Sequence, residues 1–170
     1  MFLKYLIVFL ISMVPLIELR GAIPVALSPS DMVFFGGLHG MGLPVATAYA
    51  ICIIGNMIPV PIIFFFARKV LEWGADKKYI GKFFRFCLEK GHKGGAKLQE
   101  KAGRGLYFAL FLFVGIPVPG TGAWTGTLAA SLLDMDFKKS VIAVLLGVVL
   151  AGVIMGLVSA GVFAALGAAL

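Results

Sequence analysis

Three long stretches of this chain are free of acidic and basic side chains, and they decide what it can fold into. Between Met32 and Ala67 only His39 can carry charge, and neither Gly105–Leu133 nor Ser140–Leu170 holds an Asp, Glu, Lys or Arg. About 20 apolar residues suffice for a helix to cross the hydrocarbon core of a bilayer. Inside lipid the backbone must satisfy its own polar groups, which leaves helices or a closed barrel. These runs are continuously apolar and do not alternate, so helices are expected. The residue mix agrees: 61% is hydrophobic and the mean hydropathy is +1.03, where soluble domains are roughly half apolar. The expected fold class is an all-α integral membrane protein, with residues 1–170 forming one membrane domain.

Charge sets the orientation. Eleven Lys and Arg lie between Arg68 and Arg104 against four acids, and that excess equals the +7 of the whole chain. By the positive-inside rule this stretch is cytoplasmic. The loop from Leu27 to Pro44 carries only Asp31 and His39 and is expected outside. The chain then reads as a first half (1–69), a basic cytoplasmic connector (70–105) and a second half (106–170), as a multi-pass protein of the cell (inner) membrane. A basic cluster with no folded domain to present it argues for contact with anionic lipid and against nucleic acid. Within the connector, "KKYIGKFFRFCLEK" sets Tyr79, Ile80, Phe83, Phe84 and Cys87 against Lys82, Arg85 and Glu89. That spacing predicts an amphipathic helix lying in the headgroup plane, ended by "GHKGG" with a solvated His92. The N-terminal "MFLKYLIVFLISMV" has a lysine and an apolar core but no small-residue cleavage site, so it is expected to be retained. Cys52 and Cys87 suggest neither a disulfide framework nor a metal site.

Two of the apolar segments are interrupted. Tyr5–Leu27 contains Pro15, Gly21 and Pro24, and Leu106–Leu132 contains "GIPVPGTGAWTG" from Gly115 to Gly126. Proline removes a donor and clashes with the preceding turn, so neither segment can be one unbroken helix. Aligning Gly21-Ala22 with Gly122-Ala123 sets the halves in register. Each has a broken segment, a short polar linker (Ser28–Asp31 or Asp134–Lys139) and a long apolar helix (Pro44–Ala67 or Val141–Ala165). Paired Gly/Pro-interrupted segments in matching positions of two halves point to a transporter's binding site. If both segments re-enter, each half crosses once and the repeats are inverted. The N-terminus is then outside and the 134–139 linker inside. If both span, there are four crossings and that linker is outside. Asp134 and Asp136 balance Lys138 and Lys139, so charge does not choose.

Opened backbone at membrane depth is tolerated only inside protein or beside water. Two breaks facing each other would form a central polar cavity. Ionisable groups within membrane segments mark ion or substrate paths, so Glu18 and Arg20 are the leading candidates. The expected substrate or ion site adds Gly21 and Pro24 from the first break and Pro117, Pro119, Gly120, Thr121 and Trp124 from the second. Asn56, in "GNMIPVP", is a lone amide at depth, either bonded to a neighbouring helix or lining the cavity. Arg20 is suited to an anionic or phosphate-bearing headgroup, and Glu18 to taking up and releasing protons. The glycines of the last helix, with "GVIMG" as GxxxG, suggest close helix packing within the chain or in a homo-oligomer.

"PLIELRGAIP" and "GIPVPGTGAWTG" resemble the two signature stretches of the small multidrug export proteins. That family resembles the DedA/VTT superfamily, whose members are described with two re-entrant hairpins and inverted repeats. The resemblance covers nearly the whole chain. It implies membrane transport and, for the relatives, movement of lipid carriers such as undecaprenyl phosphate driven by the proton-motive force. Glu18 with Pro24 matches the acidic residue of the first DedA hairpin, and Gly115 with Pro119-Gly120 matches the glycine and Pro-Gly of the second. The arginines near that Pro-Gly are absent here, where Ile116, Thr121 and Gly122 stand. Small multidrug transporters of the four-helix type, shorter and with a Glu in the first span, are a different pattern. The expectation is therefore a fold of two inverted repeats, each a re-entrant helical hairpin and a transmembrane helix, plus the cytoplasmic amphipathic helix. Its function would be proton-coupled export or translocation of a small amphipathic molecule or lipid carrier, with lipid bilayer, substrate and protons as partners and no cofactor or metal. An intramembrane enzyme would need a nucleophile and base or metal ligands, and only Glu18 is acidic at depth. The remaining alternative is a non-transporting structural or assembly factor.

Overall fold

The computed structural model describes residues 2–15, 17–30, 32–34, 37–77, 81–82, 85, 104–118 and 120–168. The first apolar segment forms α1 (Phe2–Met13) and α2 (Glu18–Leu27), separated by a turn at Pro15. Then come α3 (Val45–Met57) and α4 (Pro59–Ala75), followed after the connector by α5 (Arg104–Gly115), α6 (Ala123–Leu132) and α7 (Phe137–Ala168). Among the described residues there is no strand, and a single antiparallel bridge joins Val33 to His39 in the loop after α2. The predicted headgroup helix falls mostly outside the described residues. Of it, Gly81, Lys82 and Arg85 are helical.

The breaks are narrower than the Gly/Pro positions suggest. Gly21 and Pro24 lie within α2, and the first break is confined to the turn around Pro15. A proline inside a helix frees the carbonyl four residues back without ending the helix when the neighbours tolerate the bend. Gly21 is fixed by a separate contact, since a Cβ there would strike the Ile17 side chain. The second break spans Ile116–Gly122, and Trp124–Gly126 already belong to α6.

Ile58 alone separates α3 from α4, and its N–H still bonds the Ile54 carbonyl at 3.2 Å. Pro59 and Pro61 occupy the first turn of α4, where the missing N–H is no loss. Among the described residues, α3 and α4 taken together (Val45–Ala75) and α7 over Phe137–Val162 are the two helical stretches long and apolar enough to cross a membrane. Their outer faces carry Ile62, Phe65, Phe66, Ile142, Leu146 and Leu157 exposed. A water-soluble monomer does not display apolar surface on this scale, so the chain is a membrane protein.

Inside, α1 packs on α2 and α3, while α5 packs on α6 and α7. The second helix of each broken segment also packs on a long helix from the other part of the chain, α2 on α7 and α6 on α4. Glycines set the spacing. A Cβ at Gly147 would lie 2.7 Å from Val114 and 2.8 Å from the Phe111 carbonyl, so α7 meets α5 nearly backbone to backbone. Gly152 and Gly156 pack on the Tyr49 ring of α3, whose hydroxyl donates to the Gly152 carbonyl at 3.0 Å. The GxxxG pair is therefore used within the chain. The core is built mainly of small and β-branched residues, Ala22, Ile23, Ala26, Val144 and Val148 among them.

Candidate functional site

The two breaks meet. Glu18 opens α2 in the left-handed region, at φ 49°, a conformation that costs a non-glycine residue about 1–2 kcal/mol. It directs the side chain at the N-terminus of α6. There Oε2 accepts from the Ala123 N–H at 3.1 Å and Oε1 from the Trp124 N–H at 3.0 Å. Hydrogen bonds to a charged group contribute about 1.5–3 kcal/mol each, so the pair outweighs the backbone cost. The first N–H groups of a helix have no partner inside it, and their partial positive charge favours a carboxylate. Glu18 is therefore the cap of a helix in the other half of the chain, and it is 4% exposed.

Arg20 works on the same break from its other end. Nη1 donates to the Val118 carbonyl, and Nη2 donates to Thr121 Oγ1 at 2.7 Å and to the Ile116 carbonyl at 3.3 Å. Those carbonyls lie where α5 has ended and no helical donor follows. Thr121 Oγ1 lies 2.8 Å from the Val118 carbonyl and 3.0 Å from that of Ile116, within reach of its one proton. The turn itself needs Gly120 and Gly122, at φ 86° and 143°. At Gly122 the space is also taken, because a Cβ would collide with the Glu18 carboxylate.

Beside this junction lies a cavity of about 300 Å³, lined by Glu18, Gly120, Thr121, Trp124, Thr125 and Leu128 with Pro15 and Ile63. Ile63, Trp124 and Leu128 also line a second space of about 520 Å³. That one is an apolar groove running along α4 past Ile62, Phe66 and Val70. Trp124 stands at the meeting of the two, and its indole Nε1 is buried with no hydrogen-bond partner.

The sequence-selected residues are divided by this geometry. Glu18, Gly120, Thr121 and Trp124 line the cavity. Arg20 joins them through Thr121. Gly21 and Pro24 lie further along α2, and Pro117 lies in the second break, none of them lining the cavity. Pro119 is outside the described residues. Asn56 is buried in α3, does not line the cavity, and its Oδ1 has no partner. Pro15, Ile63, Thr125 and Leu128 also line the cavity and are not among the site residues expected from the sequence. An apolar residue of a spanning helix carries no mark of facing a cavity, though Thr125 stands one residue past Trp124 in the second motif. Among the described residues, no group of three or more His, Cys, Asp or Glu could hold a metal ion.

The family profile described as "Putative small multi-drug export protein" matches residues 18–154. The chain belongs to that family. The match opens on Glu18, just past the first break, and takes in the second break, the cavity lining apart from Pro15, and the first half of α7. No curated protein and no solved structure matches the chain.

Proposed function

We propose that this member of the family is a membrane transporter that moves a small amphipathic molecule, or a lipid carrier of the undecaprenyl-phosphate kind, through the space between its two breaks. The observation that carries the reading is the meeting of the breaks, bridged by Glu18 and Arg20 beside a cavity that continues into an apolar groove.

The helix arrangement supports two inverted repeats. The packing of α1 on α3 is answered by α5 on α7, and that of α2 on α7 by α6 on α4. Each hairpin returns to where it began. Lys4, at the start of α1, donates to the Met41 carbonyl at 2.9 Å, and Met41 N–H in turn bonds Val25 near the end of α2. In the second half the Asp136 N–H donates to Tyr107 Oη at 3.3 Å, tying the linker after α6 to the start of α5. An arm of 12 residues is about 18 Å long, close to half the roughly 30 Å hydrocarbon core. Re-entrant hairpins from opposite faces would then touch at mid-depth. With the basic stretch inside, the 28–44 loop and both termini fall outside and the 134–139 linker inside. The likeness to the DedA/VTT proteins, drawn from the two motifs, implies the same architecture.

Transport follows if the tip contacts open and close. In one state they seal the path. In another, Glu18 leaves the α6 amides, takes up a proton and exposes the cavity to the opposite side. The test is reconstitution in proteoliposomes with an imposed pH gradient and two cargoes, an amphipathic dye and a fluorescent short-chain polyprenyl phosphate. Gradient-dependent movement of either, lost in Glu18→Gln, supports the reading. Movement of neither by folded protein sinks it and leaves a structural or assembly role.

A further inference from the structure

We propose that a groove between the start of α5 and the first turns of α7 holds an anionic phospholipid, its phosphate against Lys139 and one acyl chain along Phe108, Phe111, Ile142 and Leu146. The groove shares no lining residue with the cavity at the two breaks, so the proposal is independent of the transport path.

The first observation is shape. The groove has a volume of about 460 Å³ and is lined by Tyr107, Phe108 and Phe111 of α5 and by Lys139, Ile142 and Leu146 of α7. Ala143 is buried at its floor, while Phe108, Ile142 and Leu146 are more than half exposed along its rims. From Lys139 to Leu146 the α7 stripe runs about 10 Å. Just beyond it Gly147 closes on Val114 and the Phe111 carbonyl, and the two helices leave no room between them. An acyl chain with its headgroup at the linker fits a space of this form. In lipid one tail replaces another with little hydrophobic gain, so preference for one lipid must come from the headgroup.

The second observation is the cation at the mouth. Lys139 is the one charged side chain among the described residues lining the groove. Its Nζ lies 5.8 Å from the centre of the Tyr107 ring, a contact that positions an ammonium without neutralising it. Tyr107 is itself held, because its Oη accepts the Asp136 N–H at 3.3 Å. Tyrosine and lysine at the end of a membrane helix are the residues that reach the headgroup level.

The third is the surrounding charge. Asp134 and Asp136 cancel Lys138 and Lys139 within the linker, and the Asp136 carboxylate accepts the Lys139 N–H at 2.9 Å. The linker can seat a phosphate but does not select a lipid by net charge. The selection comes from the basic connector, which carries the +7 of the chain and runs directly into α5. Arg104 opens that helix one turn before Tyr107, and the Tyr107–Asp136 bond holds the linker at the same end. An anionic headgroup beside Lys139 therefore sits in a positive field on the cytoplasmic face.

Quenching by brominated lipids tests this. The chain has two tryptophans. Trp73→Phe, Trp124→Phe and Phe108→Trp together place a single indole in the groove wall, and Ile142→Trp replaces Phe108→Trp if that chain does not fold. Trp124→Phe alone keeps Trp73, exposed near the end of α4 beside Lys77, as a reporter of lipid gathered around the basic stretch in general. Each protein would be reconstituted in phosphatidylcholine bilayers containing brominated phosphatidylglycerol or brominated phosphatidylcholine at equal, low mole fraction. At the groove the expected preference for phosphatidylglycerol is about fivefold or more, the worth of one basic residue at an anionic surface, and clearly above the preference at Trp73. Lys139→Gln should remove most of it at the groove and leave Trp73 unchanged. Equal quenching by the two lipids at the groove overturns the proposal. So does a preference that is the same at both reporters, or one that survives Lys139→Gln. Quenching by neither lipid would mean that protein covers the groove, and would overturn it as well. No outcome depends on cargo movement, so failure here leaves the transporter reading standing, and failure of transport leaves the lipid site standing.

Discussion

Glu18 and Gly122 form a matched pair. The carboxylate occupies the volume that a side chain at position 122 would need, and it does so to reach two amides of α6. Gly122→Ala should therefore cost about 1–3 kcal/mol from overpacking, on top of the strain of its backbone. Gly120→Ala, at positive φ but in open space, should cost only the backbone strain of about 1–2 kcal/mol. Thermal unfolding in detergent ranks the two. The mechanism predicts coupling: Gly122→Ala made in a Glu18→Ala background should cost less than in the wild type. Equal costs in both backgrounds would mean that the carboxylate is not what fills the space. Arg20→Lys keeps the charge but loses the planar fork that serves three acceptors. Leaving one or two of them bare at depth should destabilise by about 1–3 kcal/mol. An unchanged melting temperature would contradict the role of Arg20 as the clamp on the second break.

At the scale of helices, the close approach of α7 to α3 depends on Gly156. A Cβ there would strike the Tyr49 hydroxyl, whereas one at Gly152 would meet the ring at an ordinary 3.4 Å. Gly156→Ala should destabilise by about 1–3 kcal/mol and Gly152→Ala by clearly less. Tyr49→Phe should recover part of the Gly156→Ala loss by clearing the space. No recovery would place the clash elsewhere. The existence of these helices was legible in the uncharged runs, and the presence of two breaks in Pro15 and "GIPVPGTG". The bounds were not. Pro24 reads as a breaker, yet α2 runs through it to Leu27, and the Ser28 N–H still bonds its carbonyl. The sequence marked Glu18 and Arg20 as costly at depth but could not say what meets that cost. Apart from the Thr121 hydroxyl, their partners are backbone groups about a hundred residues away, and backbone groups leave no trace in a residue pattern. For the same reason the glycines of α7 were legible as packing residues, while Tyr49 as their partner was not.

Over the whole molecule, the central claim is that the halves are inverted, with hairpins that enter from opposite faces and meet at Glu18 and Arg20. Topology tests it most directly. In a background of Cys52→Ala and Cys87→Ser, single cysteines would be introduced by Ser30→Cys and Lys138→Cys, both exposed positions. Met135, in the same linker as Lys138, is buried and would not report. Intact cells are then labelled with a membrane-impermeant thiol reagent. The account predicts that position 30 labels from outside and position 138 only after permeabilisation. Labelling of both from outside would make the chain a four-span bundle, and the re-entrant architecture would be wrong.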